Sequence, residues 1–197
     1  MITLTHFIKW KFGLAQATTQ TTDAERDCLA DFAHNKSCVV EIGVWHAVTT
    51  CRLLRAMSSS GVLYAIDPYP SGRLLISFQR QIAMREAKPF DKGRIRWVRK
   101  TGVDAARQLT ESLRGKVDFI FIDGDHSYEG IKGDWEGWSN LLSLDGIIAL
   151  HDSRVTPTKP IHDAGSVRFT QGVIRKDPRF VVASEIDSLT VLRRIAL

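Results

Sequence analysis

Val117 to Ile122, VDFIFI, is the stretch that most restricts what this chain can fold into. Apart from Asp118 it is an unbroken apolar run dominated by Phe and Ile. That suits a strand covered on both faces, not the alternating pattern of a sheet with one wet side. Such a strand needs helices above and below it, and therefore a layered α/β domain built on a parallel sheet. The run stops at Asp123, Gly124, Asp125 and His126, three ionisable side chains around one glycine. Ligands of open parallel sheets bind outside the carboxyl ends of the strands. This one strand would therefore carry acid, base and metal-ligand groups to the place where chemistry belongs.

The rest of the chain supplies the partners of that strand. Cys38 to Ile42 is a short apolar run followed by Gly43 and the helix-like CRLLRAM. VLYAID (Val62 to Asp67) is stopped by Pro68 and Pro70, Arg94 to Val98 forms a third short run, and GIIALHD follows the turn at Asp145 and Gly146. Helical spacing is predicted over Leu74 to Lys88, Val103 to Leu113, Tyr128 to Leu144 and Gly165 to Arg175. Thr22 with Glu25 three residues on is a capping box for a helix from Asp23 to Ala33. Arg179 to Ser184 and Leu189 to Arg194 read as two last strands joined by EIDS, short enough for a hairpin. The expected fold is a Rossmann-like three-layer sandwich, α/β, with a mostly parallel seven-stranded sheet closed by a C-terminal antiparallel hairpin. Trp135 and Trp138 recur with Ile131, Leu141 and Leu142 at three-and-four spacing, which assigns them to the core and not to a cofactor stack.

Composition narrows the function classes. With 197 residues, 44% of them hydrophobic, the chain suits one domain, in which residues 1–35 form an N-terminal segment and helix acting as a cap or lid. The net charge of +5 and pI near 9.3 come from Lys and Arg spread along the chain without a basic, aromatic-interleaved stripe, so nucleic acid is disfavoured as a partner. Cys28, Cys38 and Cys51 are odd in number and lack CxxC spacing, which indicates neither a disulfide framework nor a zinc site and fits reduced thiols in the cytoplasm. No run approaches the ~20 apolar residues of a membrane span. Lys9 and Lys11 interrupt the N-terminal apolar character, so His6 to Phe12 is expected to dock or fray in preference to contacting a membrane, and ATTQTT (Ala17 to Thr22) to form a loop.

FIDGDHSYEG (Phe121 to Gly130), LDGIIALHD (Leu144 to Asp152), EIGVWHAVTT (Glu41 to Thr50) and AIDP (Ala65 to Pro68) together resemble the methyltransferase-24 group of class I S-adenosylmethionine-dependent methyltransferases. The resemblance implies that residues 36–197 are the S-adenosylmethionine-binding domain. It places Glu41, Gly43, Val44, Trp45, Ala47 and Thr49 in the first cofactor loop, with Ala47 standing where the family usually has glycine. Asp67 would accept the ribose hydroxyls, Gly102 and Val103 would form the adenine-binding turn, and Asp123 would lie near the methionine amino group or a divalent metal. A capping Asp104 in an ordinary turn explains the Gly102 segment about as well.

One ligand set and one catalytic pair are expected at these strand ends. If the fourth and fifth strands are neighbours, Asp123, His151 and Asp152 converge on one ion, and a set with imidazole suits Mn, Fe or Zn better than Mg, although Mg with water ligands also fits. The competing reading has His151 and Asp152 capping the strand and bonding each other. His126, an imidazole able to take a proton from a hydroxyl, is the candidate catalytic base, oriented by Asp125; the alternative is that it caps the next helix. The expected reaction is methyl transfer to a hydroxyl of a small-molecule, sugar-like acceptor, with metal assistance an added element. Two alternatives stand beside it: a nicotinamide-dependent oxidoreductase, for which the single glycine at Gly43 lacks GxGxxG spacing, and a non-catalytic binding or scaffold protein, to which Ala47 points. Self-association into a homo-oligomer is left open.

Overall fold

A computed structural model describes residues 4–71 and 76–196. The chain runs α1 (Leu4–Lys11), α2 (Asp23–Ala33), β1 (Cys38–Ile42), α3 (Val48–Ala56), β2 (Val62–Ile66), α4 (Phe78–Asp91), β3 (Ile95–Val98), α5 (Gly102–Leu113), β4 (Val117–Ile122), α6 (Tyr128–Trp138), β5 (Leu142–Leu150), α7 (Gly165–Gly172), β6 (Phe180–Ile186) and β7 (Leu189–Arg194). The seven strands form one sheet in the order β3-β2-β1-β4-β5-β7-β6, parallel from β3 to β5 and antiparallel from β5 through β7 to β6.

Alternate strand residues enter two cores. Val39, Leu63, Phe119 and Ala149 pack under α2, α3 and α4 on one face; Val40, Ile66, Ile120 and Ile148 pack under α5, α6 and α7 on the other. The central run is thus buried on both sides, as its composition requires. Trp135 and Trp138 lie in the second core. The capping box of α2 is formed in both directions, with the Thr22 hydroxyl accepting from the Glu25 amide and the Glu25 carboxylate accepting from the Thr22 amide.

Three boundaries differ from the sequence expectation. α6 ends at Trp138 instead of continuing to Leu144: a 3-10 turn over Ser139–Leu141 follows, and Leu142 already pairs with Val117. The Arg194 guanidinium donates to the carbonyls of Ser139 and Leu142, which satisfies groups that a continuing helix would have used. The apolar spacing ran on because Leu141 and Leu142 serve the same core from a turn and a strand. The segment from Leu74 begins outside the described residues; its helix is capped by Ser77 and reaches Asp91. The last helix stops at Gly172, with a separate 3-10 turn at Ile174–Lys176. At the N-terminus α1 docks on α4, with Phe7 stacked on Phe78 and the Trp10 indole N–H donating to Glu86 at 2.6 Å. Among the described residues, no helix is long and apolar enough to cross a membrane.

Candidate active site

The turn after β1 is built by close backbone approach. Gly43 sits at φ +86°, and a Cβ there would collide with the carbonyl of Asp123, so this turn and the end of β4 meet backbone to backbone. The same turn sends the Val44 and Trp45 amides to Asp67 Oδ2, each at 3.1 Å, while Asp67 Oδ1 accepts from the Tyr69 amide at 2.8 Å. Three of the carboxylate's roughly four acceptor sites are therefore taken, and about one remains for a ligand. Burial still pushes the Asp67 pKa up against those three donors. Asp67 locks the loop as well as facing the cavity.

Ala47 holds the left-handed conformation, φ +62°, at the start of α3, which costs a residue with a Cβ about 1–2 kcal/mol and accounts for a glycine preference there. Its side chain is fully buried and does not line the cavity. Glu41 does not line it either: it lies within the sheet, accepting the Thr50 hydroxyl at 2.6 Å, and burial pushes its pKa up to about 8. Gly43, Val44, Trp45 and Thr49 do face the cavity.

The ends of β4 and β5 carry an acid–imidazole cluster. His151 Nδ1 lies 2.7 Å from Asp123 Oδ1, and its Nε2 faces Glu25 Oε2 at 3.4 Å and Asp152 Oδ1 at 3.7 Å. Burial alone would lower the His151 pKa; the bonds and charges of Asp123, Glu25 and Asp152 outweigh it and raise the value to about 10. Burial likewise works against the Glu25 charge, yet His151, the Thr22 amide and Ser188 hold its pKa at about 2.

This arrangement corrects two expectations. Asp152, at φ +49°, pairs with Lys159 and accepts the Ser188 hydroxyl at 2.9 Å, so it meets the far nitrogen of His151 and stays out of the ligand cluster. The ligand atoms that gather within 4.8 Å are those of Asp123, His126 and His151. Asp125 is exposed and accepts the Ser127 amide at 2.9 Å, securing the entry to α6; it is Asp123 that faces His126 Nε2, at 3.5 Å.

A cavity of about 930 Å³ opens over the carboxyl ends of β1, β2 and β4. Thr18 to Gln20 form one wall, fixed by the Thr18 amide donating to His46 Nδ1 at 2.9 Å and by the Trp45 indole donating to the Thr18 hydroxyl at 3.1 Å. His46 is buried, and burial pushes its pKa down to about 4, which keeps it a neutral acceptor. Gly102 and Val103 line the far end together with Asp134. Glu25, His46 and Asp134 are missing from the sequence expectations as site residues. Asp134 carried a readable signal: it falls four residues before Trp138 and three after Ile131, a charge inside the apolar stripe of α6.

A family model described as a methyltransferase domain matches residues 40–153, more than half of the chain. The chain belongs to the methyltransferase-24 family of class I S-adenosylmethionine-dependent methyltransferases. The matched span takes in the Gly43 turn, Asp67, Gly102 and the Asp123–His126 segment, whereas Glu25 and Lys159 reach the cluster from outside it. Solved structures agree on the fold. Cofactor-bound Rv0187 from MTB has a TM-score of 0.71 at 13% identity, over 98% of this chain and 90% of its own. A Staphylococcus aureus protein provisionally assigned as a caffeoyl-CoA O-methyltransferase has a TM-score of 0.68 at 14% identity, over 95% and 90%. A Corynebacterium glutamicum protein has a TM-score of 0.69 at 19% identity, over 96% and 87%. In sequence, a 60-residue stretch is 35% identical to the uncharacterized protein y4gI of Sinorhizobium fredii, taking in 30% of this chain and 6% of that protein. Family membership sets aside the nicotinamide oxidoreductase.

Proposed function

We propose that the protein methylates a hydroxyl oxygen of a small-molecule acceptor. The observation that carries this is one cavity that brings together the Gly43 turn, Asp67, the Gly102 turn and the Asp123–His126 pair at the carboxyl ends of the strands. The donor set fits the cofactor: the bare backbone at Gly43 leaves room for a chain to pass, and Asp67 keeps an acceptor site for a ribose hydroxyl. S-adenosylmethionine, when bound, supplies a methyl group on a sulfonium that is already a good electrophile. What remains for the protein is to position the acceptor in line, keep water out and take the hydroxyl proton. His126 is half-exposed at the cavity wall, and its Nε2 faces the Asp123 carboxylate, which would stabilise the imidazolium formed on accepting that proton. The Thr18–Gln20 wall supports the reading of the N-terminal segment as a cap over the cavity.

The gathering of Asp123, His126 and His151 favours a second version of the same chemistry, in which these three hold a divalent metal. One carboxylate and two imidazoles suit Mn, Fe or Zn. Uptake would have to displace the proton shared by His151 and Asp123, so it would release protons. Calorimetric titration with S-adenosylhomocysteine tests the reading. Wild-type protein is expected to bind it, and Asp67→Ala to bind at least tenfold more weakly while thermal melting shows the fold intact. Absence of binding by folded wild-type protein would sink the proposal. Turnover abolished by a chelator and restored by Mn²⁺ assigns His126 to the metal; turnover indifferent to both, and lost in His126→Gln, assigns it to the base.

A further inference from the structure

Asp134 is a buried carboxylate that the proposed chemistry leaves without a task. It is 4% exposed, lines the cavity and has no hydrogen-bond partner for its carboxylate among the described residues. Burial, with the Asp125 charge as a second cause, pushes its pKa up to about 7. Unpaired buried carboxylates are costly and are kept where something outside the chain completes them.

The surroundings define what fits. Asp134 occupies a notch between two glycines: a Cβ on Gly102 would strike its Oδ1, and one on Gly124 would come within 3.3 Å of its Oδ2. Ile42 walls the same notch from the sheet. One turn along α6, the Trp138 indole donates to the Gly102 carbonyl at 3.0 Å and fixes the β3–α5 turn against this helix. The carboxylate is thereby held between two backbone turns at the cavity wall, where it can accept from a ligand group that presents an N–H donor.

We propose that Asp134 reads the exocyclic 6-amino group of the cofactor's adenine, making it the residue that selects the purine. The inference rests on the methyltransferase reading above and adds a residue to it. Of the other carboxylates lining the cavity, Asp67 is engaged by three amides, Asp123 by two imidazoles and Asp125 by the Ser127 amide, while Glu129 is exposed on the first turn of α6, which leaves Asp134 as the buried one without a partner. In the proposed reading the ribose hydroxyls fall to Asp67, and the amine of the purine is a donor of the same cofactor that Asp134 can accept.

The test is a cycle between one residue and one ligand group, read by calorimetry at pH 8. Wild-type, Asp134→Ala and Asp134→Asn are each titrated with S-adenosylhomocysteine and with the same compound carrying hydrogen in place of the 6-amino group. Wild-type protein should bind the deaminated compound about ten- to a hundredfold more weakly, the scale of a hydrogen bond to a charged group. In Asp134→Ala that ratio should fall to near one, and in Asp134→Asn, which keeps a carbonyl acceptor, it should lie between. A wild-type ratio near one, or an unchanged ratio in Asp134→Ala, overturns the assignment while leaving the methyltransferase reading intact. Failure of wild-type protein to bind S-adenosylhomocysteine overturns both.

Discussion

Glu25 and Asp134 are equally hidden, 1% and 4% exposed, yet their pKa values move in opposite directions, to about 2 and about 7. The difference lies in their partners. Glu25 accepts from the Thr22 amide and from the amide and hydroxyl of Ser188, and faces the His151 imidazole. Asp134 accepts from nothing among the described residues. Burial penalises both charges alike; only the first is repaid by donors. Glu25 is therefore the completed end of the contrast, a carboxylate paired outside the cavity lining, and Asp134 is the open one, facing the ligand space. The network also crosses the chain, because α2 supplies Glu25, β4 leads into Asp123 and the residues after β5 and β6 supply His151, Asp152 and Ser188.

The largest expected effect comes from opening the completed end. Glu25→Gln leaves His151 with fewer anionic partners and sets an amide N–H against one of the donors that Glu25 now accepts. Breaking one member of a buried ion pair costs about 3–5 kcal/mol, measurable as a lowered urea midpoint at pH 6. The pH profile carries the signs. Glu25 is depressed, so its share of stability is present above pH 4.5 and lost as pH falls toward 2; His151 is raised, so its share is present below pH 6.5 and lost as pH rises through about 10. Both limbs should flatten in Glu25→Gln. A variant with the wild-type profile would mean the pair is bystander geometry.

Asp134→Asn should act in the opposite sense. The folded protein holds a proton on Asp134 that the unfolded chain has released between pH 3.8 and about 7, so stability falls with rising pH across that window. Removing the charge should remove that slope and raise unliganded stability by roughly 2–4 kcal/mol above pH 7, with little change below pH 4. Loss of stability on this substitution would show that Asp134 has a structural partner and is not waiting for a ligand.

The contrast also separates what was readable in the sequence from what was not. The sheet followed from local patterns: apolar runs ending in glycine or acid, the Thr22–Glu25 cap, and the DGDH cluster, each a few residues long. Spacing alone overextends helix α6 because Leu141 and Leu142 are apolar whichever element carries them, and the Arg194 contacts that end it come from the last strand. Strand adjacency alone puts Asp152 beside Asp123, while its direction is set by a left-handed backbone, by Lys159 and by Ser188. The roles of Glu25 and His46 depend on contacts across more than a hundred residues in one case and on burial in the other, and neither leaves a trace in spacing. Asp134 did leave one, as a charge in an apolar stripe.

The smallest expected effect asks whether the completed end depends on the start of its helix. The Thr22 hydroxyl accepts the Glu25 amide at 3.1 Å and donates to Asp187 Oδ2 at 2.6 Å, tying α2 to the β6–β7 hairpin. Thr22→Ala removes both contacts but leaves the Thr22 amide on the Glu25 carboxylate. Loss of an N-cap side chain costs about 1 kcal/mol, and Thr22→Ser should recover most of it. The His151 resonance, followed by NMR through its titration, is the decisive reading. If Glu25 is held by His151 and Ser188, Thr22→Ala lowers the melting temperature and leaves that titration where it was, whereas Glu25→Gln shifts it downward. A shift in Thr22→Ala as large as in Glu25→Gln would instead make the cap the element that aims the carboxylate, and the network would then be a consequence of the helix start.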